Sequence, residues 1–337
     1  MNRSSRASLR WPTLFIVLTL GLAACSGDQT ITAEKRTPIP IPGSALTVQG
    51  TPGTFGGTLA VALPEEITTF NPYYQADYST REVLHQLYAP LIGFNPITGK
   101  TLPQEGLAES WEAVGKVVTI KMRQGLSFSD GTPIRADDVI FSLSVALDPE
   151  VKAPVADMLA VSSRLPDVTK VDDRTIQLEF PEPYPAIGYV LSRVPVICAG
   201  PDPEKTINKG RFEEVLALTT APESIACSGP FCIGSYEKGK SIRLNYNPNY
   251  WKVDSQSLRL PYLDHIEYTF GMSNDDIVKG LQAGTVSLSC RLDPKTFTTL
   301  GESGAKYQTK DLGVGYGTWQ LFGNLNASLA ADKVKVS

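Results

Sequence analysis

The stretch SGPFCIGSYEKGKSIRLNYNPNYW, residues 228–251, decides the fold, because apolar and polar residues alternate on either side of a short turn that contains Gly239. Apolar residues at 242, 244 and 246 alternate with polar ones, which is the pattern of a half-buried strand. The preceding GPFCIGSY is also strand-like, and glycine tolerates the positive φ that a tight turn requires. We therefore predict a β-hairpin that is followed by a turn at Asn247-Pro248-Asn249.

The same stretch matches the phosphate-loop pattern G-x-x-x-x-G-K-[ST], with Gly234, Gly239, Lys240 and Ser241 at the fixed positions. That loop holds phosphates where a strand enters it and a helix leaves it, because the amides at the helix N-terminus bind the anion. A strand is predicted after Ser241 instead of a helix. We interpret the match as part of the hairpin and expect no nucleotide site.

Outward from the hairpin, the same two-residue period predicts strands at residues 58–63, 117–122, 175–180 and 266–270. Ser79-Thr80-Arg81-Glu82 predicts the capping box of a helix, and Asp137-Asp138 predicts the start of a second one. A third helix is predicted to open at residues 273–276 and to close at Gly284. Strands and helices mix without strict alternation or internal repeat, which predicts an α/β protein of more than one lobe.

The sequence carries little support for catalysis or for a nucleic-acid partner. Asp130 lies in an Asp-Gly-Thr-Pro turn, and Asp137 and Asp138 are expected in the first turn of a helix, so structure accounts for all three carboxylates. The chain has 2 histidines and lacks a nucleophile elbow. Its net charge of −4 and pI of about 5.4 argue against nucleic-acid binding. We expect a protein that is not an enzyme.

The N-terminus predicts export. Arginines precede the apolar run TLFIVLTLGLAA, which ends at Cys25, and this arrangement predicts a signal peptide over residues 1–24. Leu22-Ala23-Ala24-Cys25 resembles the bacterial lipobox, which implies cleavage before Cys25 and a lipid on its sulfur. The alternative is an ordinary signal peptide in which Cys25 is incidental. We expect a protein anchored to a membrane outside the cytoplasm, in the periplasm or at the cell surface.

Residues 25–54 are rich in Thr, Pro and Gly and show no periodic apolar face. We predict a disordered tether that lifts a folded body off the membrane. The alternative is a decoration that packs on the body.

Four further cysteines, at 198, 227, 232 and 290, permit three pairings in an oxidising compartment. We predict one disulfide that ties Cys198 to Cys227 or Cys232. Cys227 and Cys232 lack a second cysteine pair, and the only histidines are His85 and His265. We therefore expect no metal and no cofactor.

Two long motifs carry a family resemblance. LAESWEAVGKVVTIKMRQGLSFSDGTPIRADDVIFSL (107–143) and the stretch 228–251 strongly resemble the extracytoplasmic solute-binding lipoproteins of ABC importers, in the family 5 group for oligopeptides, dipeptides and nickel. The matching positions are Trp111, Arg123, Gly125, Phe128, Asp130 to Pro133, Asp137-Asp138, Gly229-Pro230-Phe231 and Asn247 to Trp251. The resemblance covers about residues 55–337. Arg135 departs from it, because the family usually has a Thr helix cap there.

The resemblance implies a two-lobed, type II periplasmic-binding-protein-like clamp of α/β class. It implies a first-lobe core domain at 55–90 and 199–288 with an inserted domain at 91–198. The second lobe is expected only to begin, at 289–337, so the sequence is a fragment or a broken gene. We expect this short form to bind peptides no better than about millimolar, because a clamp needs both lobes.

The function implied by the resemblance is capture of peptides or similar small solutes for an ABC permease and its ATPase, by a protein that we expect to be a monomer. The alternatives are a surface lipoprotein for ligand sensing or adhesion, and a non-functional gene fragment. Tyr73, Tyr74 and Tyr78 cluster with Asp77, and the resemblance places Ala76, Asp77 and Tyr78 beside the peptide backbone. Burial of these tyrosines under the inserted domain is the alternative. Two further cleft candidates, with core packing as their alternative, are Tyr316 and Trp319.

Overall fold

The computed structural model describes residue 36 and residues 39–74, 77–95, 98–102, 105–200, 216–289 and 292–302. Within these ranges the strands are β1 Leu46–Thr47, β2 Thr58–Leu63, β3 Gly93–Asn95, β4 Lys100–Leu102, β5 Ala108–Val114, β6 Val117–Met122, β7 Asp167–Asp172, β8 Thr175–Glu179, β9 Phe231–Glu237, β10 Ser241–Tyr246, β11 Lys252–Val253, β12 His265–Phe270 and β13 Leu288–Ser289. The helices are α1 Tyr78–Leu87, α2 Ala136–Leu147, α3 Pro154–Leu159, α4 Ile187–Leu191, α5 Asn274–Ala283 and α6 Pro294–Glu302.

Two larger sheets organise the described chain. One has five strands in the order β13-β2-β12-β10-β9, and β2 runs parallel to both of its neighbours. The other is an antiparallel sheet in the order β5-β6-β8-β7, with α2 packed against β7 and β8. One cluster of buried apolar residues spans both sheets. The α/β class predicted from the mixed periodicities is confirmed.

The predicted hairpin is present. β9 and β10 are antiparallel, and Gly239 takes a φ of +74° in the turn that joins them. Residues after Ser241 form β10, whose apolar positions Ile242 and Leu244 are fully buried. Lys240, the would-be phosphate lysine, pairs with Glu237 at 2.9 Å on the protein surface. A strand follows the glycine-rich turn, so the match to the phosphate-loop pattern is structural.

Helix starts differ in one place from the prediction. α5 begins after Ser273, whose hydroxyl accepts from the Asp276 amide, and it ends at Gly284 with a φ of +74°, as predicted. α2 begins after Arg135, whose side chain makes no cap, and Asp138 accepts from the Arg135 amide at 2.8 Å instead. The capping box expected at residues 79–82 is wrong. The cap of α1 is the ionisable side chain of Asp77, a stronger acceptor that lies upstream of it.

The two family-like stretches meet in space. The Arg123 guanidinium lies over the Trp251 ring, 4.8 Å from its centroid, and Trp251 is 2% exposed. Asn249 donates to the Ser129 carbonyl at 3.1 Å, and the Ser129 amide donates to the Cys227 carbonyl at 2.9 Å. These contacts fasten the antiparallel sheet to the five-stranded sheet. The packing of each stretch therefore depends on residues of the other.

The described part of the predicted tether, residue 36 and residues 39–54, packs on the body. β1 pairs in parallel with β11. The Ser44 hydroxyl donates to the Gln124 carbonyl, and the Ser44 carbonyl accepts from the Arg123 guanidinium, both at 2.8 Å. Arg36 lies between the rings of Phe55 and Tyr246, 4.5 and 4.2 Å from their centroids. The structure thus differs from the disordered tether and agrees with the alternative, because cation–π contacts and a strand pair offset the entropy of ordering this segment.

The predicted domain division stays a prediction. The five-stranded sheet draws its strands from residues 58–63 and 231–289, and the antiparallel sheet draws its strands from residues 108–179. Of the predicted second lobe, the structure describes Ser289 and residues 292–302. Within the ranges that the structure describes, no helix combines the length and apolar character needed to cross a membrane.

Candidate ligand-binding edge

One edge of the five-stranded sheet collects the loops that follow its parallel strands. The Gly271 amide, just after β12, donates to the Leu63 carbonyl at the end of β2. The Phe270 amide donates to the Lys240 carbonyl, so the hairpin turn lies at the same edge. We call this region the carboxyl edge: residues 64–74 and Asp77, the hairpin turn 237–241 and residues 271–273. Ligands of open α/β sheets bind outside the carboxyl ends of the strands, so this edge is the candidate site.

The hairpin turn holds the loop 64–77 through Glu66. One carboxylate oxygen of Glu66 accepts from the Tyr236 hydroxyl and from the Gly239 amide, both at 2.6 Å. These two bonds, the Tyr236 bond foremost, lower the pKa of Glu66 below its ordinary value. We call this three-residue contact the Glu66 clamp. Sequence reasoning missed it, because Glu66 and Tyr236 are 170 residues apart and neither lies in a recognisable motif.

The start of α1 holds the same loop from the other side. The Glu65 amide donates to the Ser79 hydroxyl at 3.2 Å, and the Thr68 amide donates to the Thr80 hydroxyl at 2.9 Å. Ser79 and Thr80 are both fully buried. The residues that suggested a capping box therefore bind the loop instead of capping their own helix, and they fix its backbone at the carboxyl edge.

Asp77 is the N-cap of α1. Its carboxylate accepts from the Thr80 amide at 2.8 Å, from the Thr80 hydroxyl at 2.7 Å and from the Thr68 hydroxyl at 3.3 Å. Partial burial raises the pKa of Asp77, but the hydrogen bonds from Thr80 and Thr68 outweigh it and the net pKa is lowered. Asp77 is therefore ionised at neutral pH, and most of its acceptor capacity is used inside the protein.

The tyrosines predicted to contact the ligand differ in how deeply they are buried. Tyr73 is 2% exposed, and its hydroxyl donates to the Pro195 carbonyl, so it is a core residue and a correction to its predicted ligand role. Its ring fills space between the loop and residues near 195, as in the burial alternative. Tyr74 and Tyr78 are half-buried, and Tyr78 packs against the core. Ala76, Tyr316, Trp319 and the lipidation candidate Cys25 lie outside the described residues.

The cysteines also differ from the prediction. Cys198, Cys227 and Cys232 are free thiols in the structure, and the predicted bridge from Cys198 is not formed. The Cys227 thiol donates to the Ile225 carbonyl at 3.6 Å, and the side chains of Cys227 and Cys232 lie close enough to shift the pKa of each other. Burial raises the pKa of Cys198 to about 11, so its thiol is protonated at neutral pH. Among the described residues, no group of His, Cys, Asp and Glu is arranged to hold a metal ion.

The carboxylates that a search for catalysis would select have structural partners. Asp130 accepts from the Thr132 amide and hydroxyl, both at 2.9 Å, which closes its turn. Asp137 pairs with Lys170 at 2.9 Å. Asp138 accepts from the Ala199 amide at 3.0 Å, and burial raises its pKa. These side chains shape turns and helix starts.

Comparison with known proteins gives a consistent result. A family model described as bacterial extracellular solute-binding proteins, family 5 Middle, matches residues 103–336. The chain is 28% identical over 221 residues to a probable ABC transporter-binding protein of Deinococcus radiodurans, covering 63% of this chain and 36% of that one. It is 27% identical over 262 residues to di/tripeptide-binding protein 2 of Pseudomonas aeruginosa, covering 72% and 46%.

Solved structures of other proteins share this fold. The oligopeptide-binding protein AppA of Bacillus subtilis, in complex with a nonapeptide, superimposes with a TM-score of 0.61 at 23% identity, covering 74% of this chain and 46% of that one. This likeness confirms the predicted periplasmic-binding-protein-like fold. The chain spans less than half the length of these three relatives. They are binding proteins by name, and the family model covers well over half of the chain. The chain therefore belongs to family 5 of the bacterial extracellular solute-binding proteins.

Proposed function

We propose that this protein is the substrate-binding component of an ABC importer. It captures peptides or similar small solutes outside the cytoplasm and delivers them to a membrane permease, whose partner ATPase hydrolyses ATP inside the cell. Family membership supports the proposal, as do the binding roles in the names of the Deinococcus and Pseudomonas relatives. The observation that carries it is the carboxyl edge, where a loop of suitable position is held rigid from two sides.

Rigidity of the loop matters for affinity. Ordering a flexible loop on binding costs free energy that is subtracted from every contact the ligand makes. The Glu66 clamp on one side, and Ser79 with Thr80 on the other, fix residues 64–74 before any ligand arrives. An extended peptide pairs its backbone with a preformed chain segment, and its side chains are left for roomy pockets. We therefore assign peptide backbone contacts to the segment that contains Ala76, Asp77 and Tyr78.

The individual residues take different parts in this proposal. Tyr74 supplies an aromatic face at the edge of the site, whereas Tyr73 supports the loop from the core. Tyr316 and Trp319 remain candidates for the facing lobe. The protein works as a monomer that closes on its ligand by hinge motion, in the manner of two-lobed binding proteins.

Peptide binding is tested by calorimetry on the native protein, titrated with a peptide pool and, in parallel, with oligosaccharides. Tyr74→Ala should weaken peptide binding about tenfold, the loss of one aromatic contact. Tyr189→Ala is the matched control, because Tyr189 is an exposed tyrosine on α4, outside the carboxyl edge. Because we expect weak binding by this short form, the titration extends into the millimolar range, and absence of peptide-dependent heat there from a folded protein contradicts peptides as cargo. Unchanged peptide uptake by cells that lack the gene contradicts the transport role.

We further propose that a lipid on Cys25 anchors the protein to a membrane outside the cytoplasm. Cys25→Ala should release it into the soluble fraction, because the lipid supplies most of the membrane affinity. Detergent-phase partitioning of wild type and variant measures this directly. Cys198→Ala is the control that should stay in the membrane fraction. A variant at Cys25 that remains membrane-bound contradicts the anchor.

A further inference from the structure

Two thiols meet where β9 begins. Cys227 is fully buried, and its thiol donates to the Ile225 carbonyl at 3.6 Å. Cys232 is half-buried, and its side chain lies close enough to that of Cys227 for the pKa of each thiol to depend on the other. Cys227 and Cys232 are separated along the chain only by residues 228–231. Neither thiol belongs to the carboxyl edge, and neither is bridged to Cys198, the partner that the sequence predicted.

The backbone at Cys227 is fixed by Ser129, which lies in the loop between β6 and α2. The Cys227 amide donates to the Ser129 hydroxyl at 3.0 Å, and the Cys227 carbonyl accepts from the Ser129 amide at 2.9 Å. The same carbonyl also accepts from the Asn247 side chain at 3.3 Å. On the other side, Cys232 lies in β9 opposite Asn245 of β10. Both cysteines are thus held in place from outside the short loop that joins them.

The joining loop is itself held. The Ser228 hydroxyl donates to the Val196 carbonyl at 2.7 Å and accepts from the Ala89 amide at 3.0 Å. The Gly229 amide donates to the Leu87 carbonyl at 2.8 Å, and a Cβ at Gly229 would lie 2.4 Å from the Gln86 carbonyl oxygen. With the loop and both ends constrained, the native fold keeps the backbones of Cys227 and Cys232 in fixed positions near each other.

We propose that Cys227 and Cys232 form a disulfide in the mature protein and that Cys198 stays a thiol. The inference rests on the proposed location outside the cytoplasm, because disulfides form and persist in such compartments. The oxidant is a protein disulfide of the thiol-oxidase class. The Cys232 thiolate attacks one sulfur of that disulfide and forms a mixed disulfide. The Cys227 thiol then loses its proton and attacks the Cys232 sulfur, so that two electrons and two protons leave with the reduced partner.

The order of these steps follows from burial and hydrogen bonding. The neighbouring Cys227 thiol lowers the pKa of Cys232, and Ser129 adds to this effect, whereas burial opposes it. The neighbouring Cys232 thiol and burial both raise the pKa of Cys227. Cys232 is therefore the more exposed thiol and the one that ionises first, as an attacking cysteine must.

Peptide mapping tests the pairing directly. Trypsin cleaves after Arg211 and Lys238, so one peptide, 212–238, contains both cysteines, whereas Cys198 lies in 194–205 and Cys290 lies in 280–291. Protein taken from the cell envelope is denatured, alkylated without reduction and digested. We expect peptide 212–238 to be unalkylated and lighter by two hydrogen atoms, and to accept two alkyl groups after reduction. An alkylated 212–238, or a link from it to either of the other two peptides, overturns the inference.

Variants provide a second measurement. Reduction should lower the Tm of the wild-type protein by about 5 °C, because the bond closes a short loop. Cys232→Ala should lose this response to reductant, and the control Cys198→Ala should keep it. Equal responses of the two variants overturn the pairing.

The same protein, reduced and placed in a buffer of oxidised and reduced glutathione, separates this inference from the proposed location. A disulfide that forms in the buffer but not in cells overturns the location and supports the pairing. Failure to form in both settings overturns the pairing itself.

Discussion

The carboxylate of Asp77 receives three hydrogen bonds from Thr80 and Thr68 inside the protein. A residue that the family resemblance places beside the ligand is therefore also the cap of α1. The two roles make different demands, since a cap needs an acceptor oxygen and a ligand contact through charge needs a carboxylate. Substitutions at this position can separate them.

Asp77→Ala should lower the free energy of unfolding by about 1 kcal/mol, because the first turn of α1 loses its cap. Asp77→Asn should stay within a few tenths of a kcal/mol of the wild type at neutral pH, because asparagine is as good a cap. Urea denaturation of the three proteins measures both. Equal stability of the alanine variant and the wild type contradicts the cap.

The pH dependence of this effect has a defined sign. The pKa of Asp77 is lower in the folded protein than in the unfolded chain, so its ionised form contributes stability above the unfolded pKa of about 3.9. That contribution is lost as the pH falls through the lower, folded pKa. Wild type should therefore lose stability relative to Asp77→Asn between about pH 4 and pH 2. A difference between the two that is constant with pH contradicts the lowered pKa.

At the scale of elements, strands were more predictable than helix starts. The alternation at residues 58–63 and 117–122 matches β2 and β6 to the residue. Both strands bury apolar side chains in the main core, and β2 also buries Ala62 in a second, smaller cluster. The capping box failed because Ser79 and Thr80 point their hydroxyls at the loop 64–77, a contact between distant residues of the sequence that no local pattern contains. The burial of Tyr73 and the Glu66 clamp were not predicted, for the same reason. Local periodicity reports elements, whereas the candidate site is built from contacts between elements.

Tyr236→Phe tests the Glu66 clamp. Loss of the hydroxyl removes one of two hydrogen bonds to the Glu66 carboxylate, so the pKa of Glu66 should rise toward its ordinary value. Stability should fall by about 1 kcal/mol, the lower end for a bond to a charged group because the site is partly solvated. NMR titration of Glu66 and urea denaturation measure the two effects. Tyr262→Phe, which breaks a bond to Asp254 away from the carboxyl edge, is the control that should leave the Glu66 pKa unchanged.

At the scale of the whole molecule, the docking of the N-terminal segment on the body is the feature that composition did not predict. Its Pro, Thr and Gly content is typical of disordered linkers, yet residues 39–57 lie against the loops that flank β11 and β12. Arg36 fastens the segment by donating to the Tyr262 carbonyl at 2.7 Å and to Asp264 at 3.0 Å. Composition predicts what a segment does alone, and here the aromatic rings that hold it come from elsewhere in the chain.

Arg36→Ala should free this segment without unfolding the body. We expect cleavage of residues 39–57 by a broad-specificity protease to become about tenfold faster, because local opening costs less once both cation–π contacts are lost. Arg243→Ala, an exposed arginine on β10, should leave the cleavage rate unchanged. Equal rates for the two variants contradict the role of Arg36 as the fastening residue.

The docked segment also sets how far the body travels from the membrane. With the proposed lipid on Cys25, eleven residues along the chain lead to Arg36 and thirty lead to Phe55. At about 3.3–3.6 Å per extended residue, docking at Arg36 shortens the maximum reach from about 100 Å to about 40 Å. The volume open to the body falls roughly with the cube of that reach, about fifteen-fold, and the local concentration at which it meets a membrane permease rises to match. With the anchor and the permease that we propose, docking of this segment by Arg36, by the β1–β11 pair and by Ser44 sets how often the protein meets the permease.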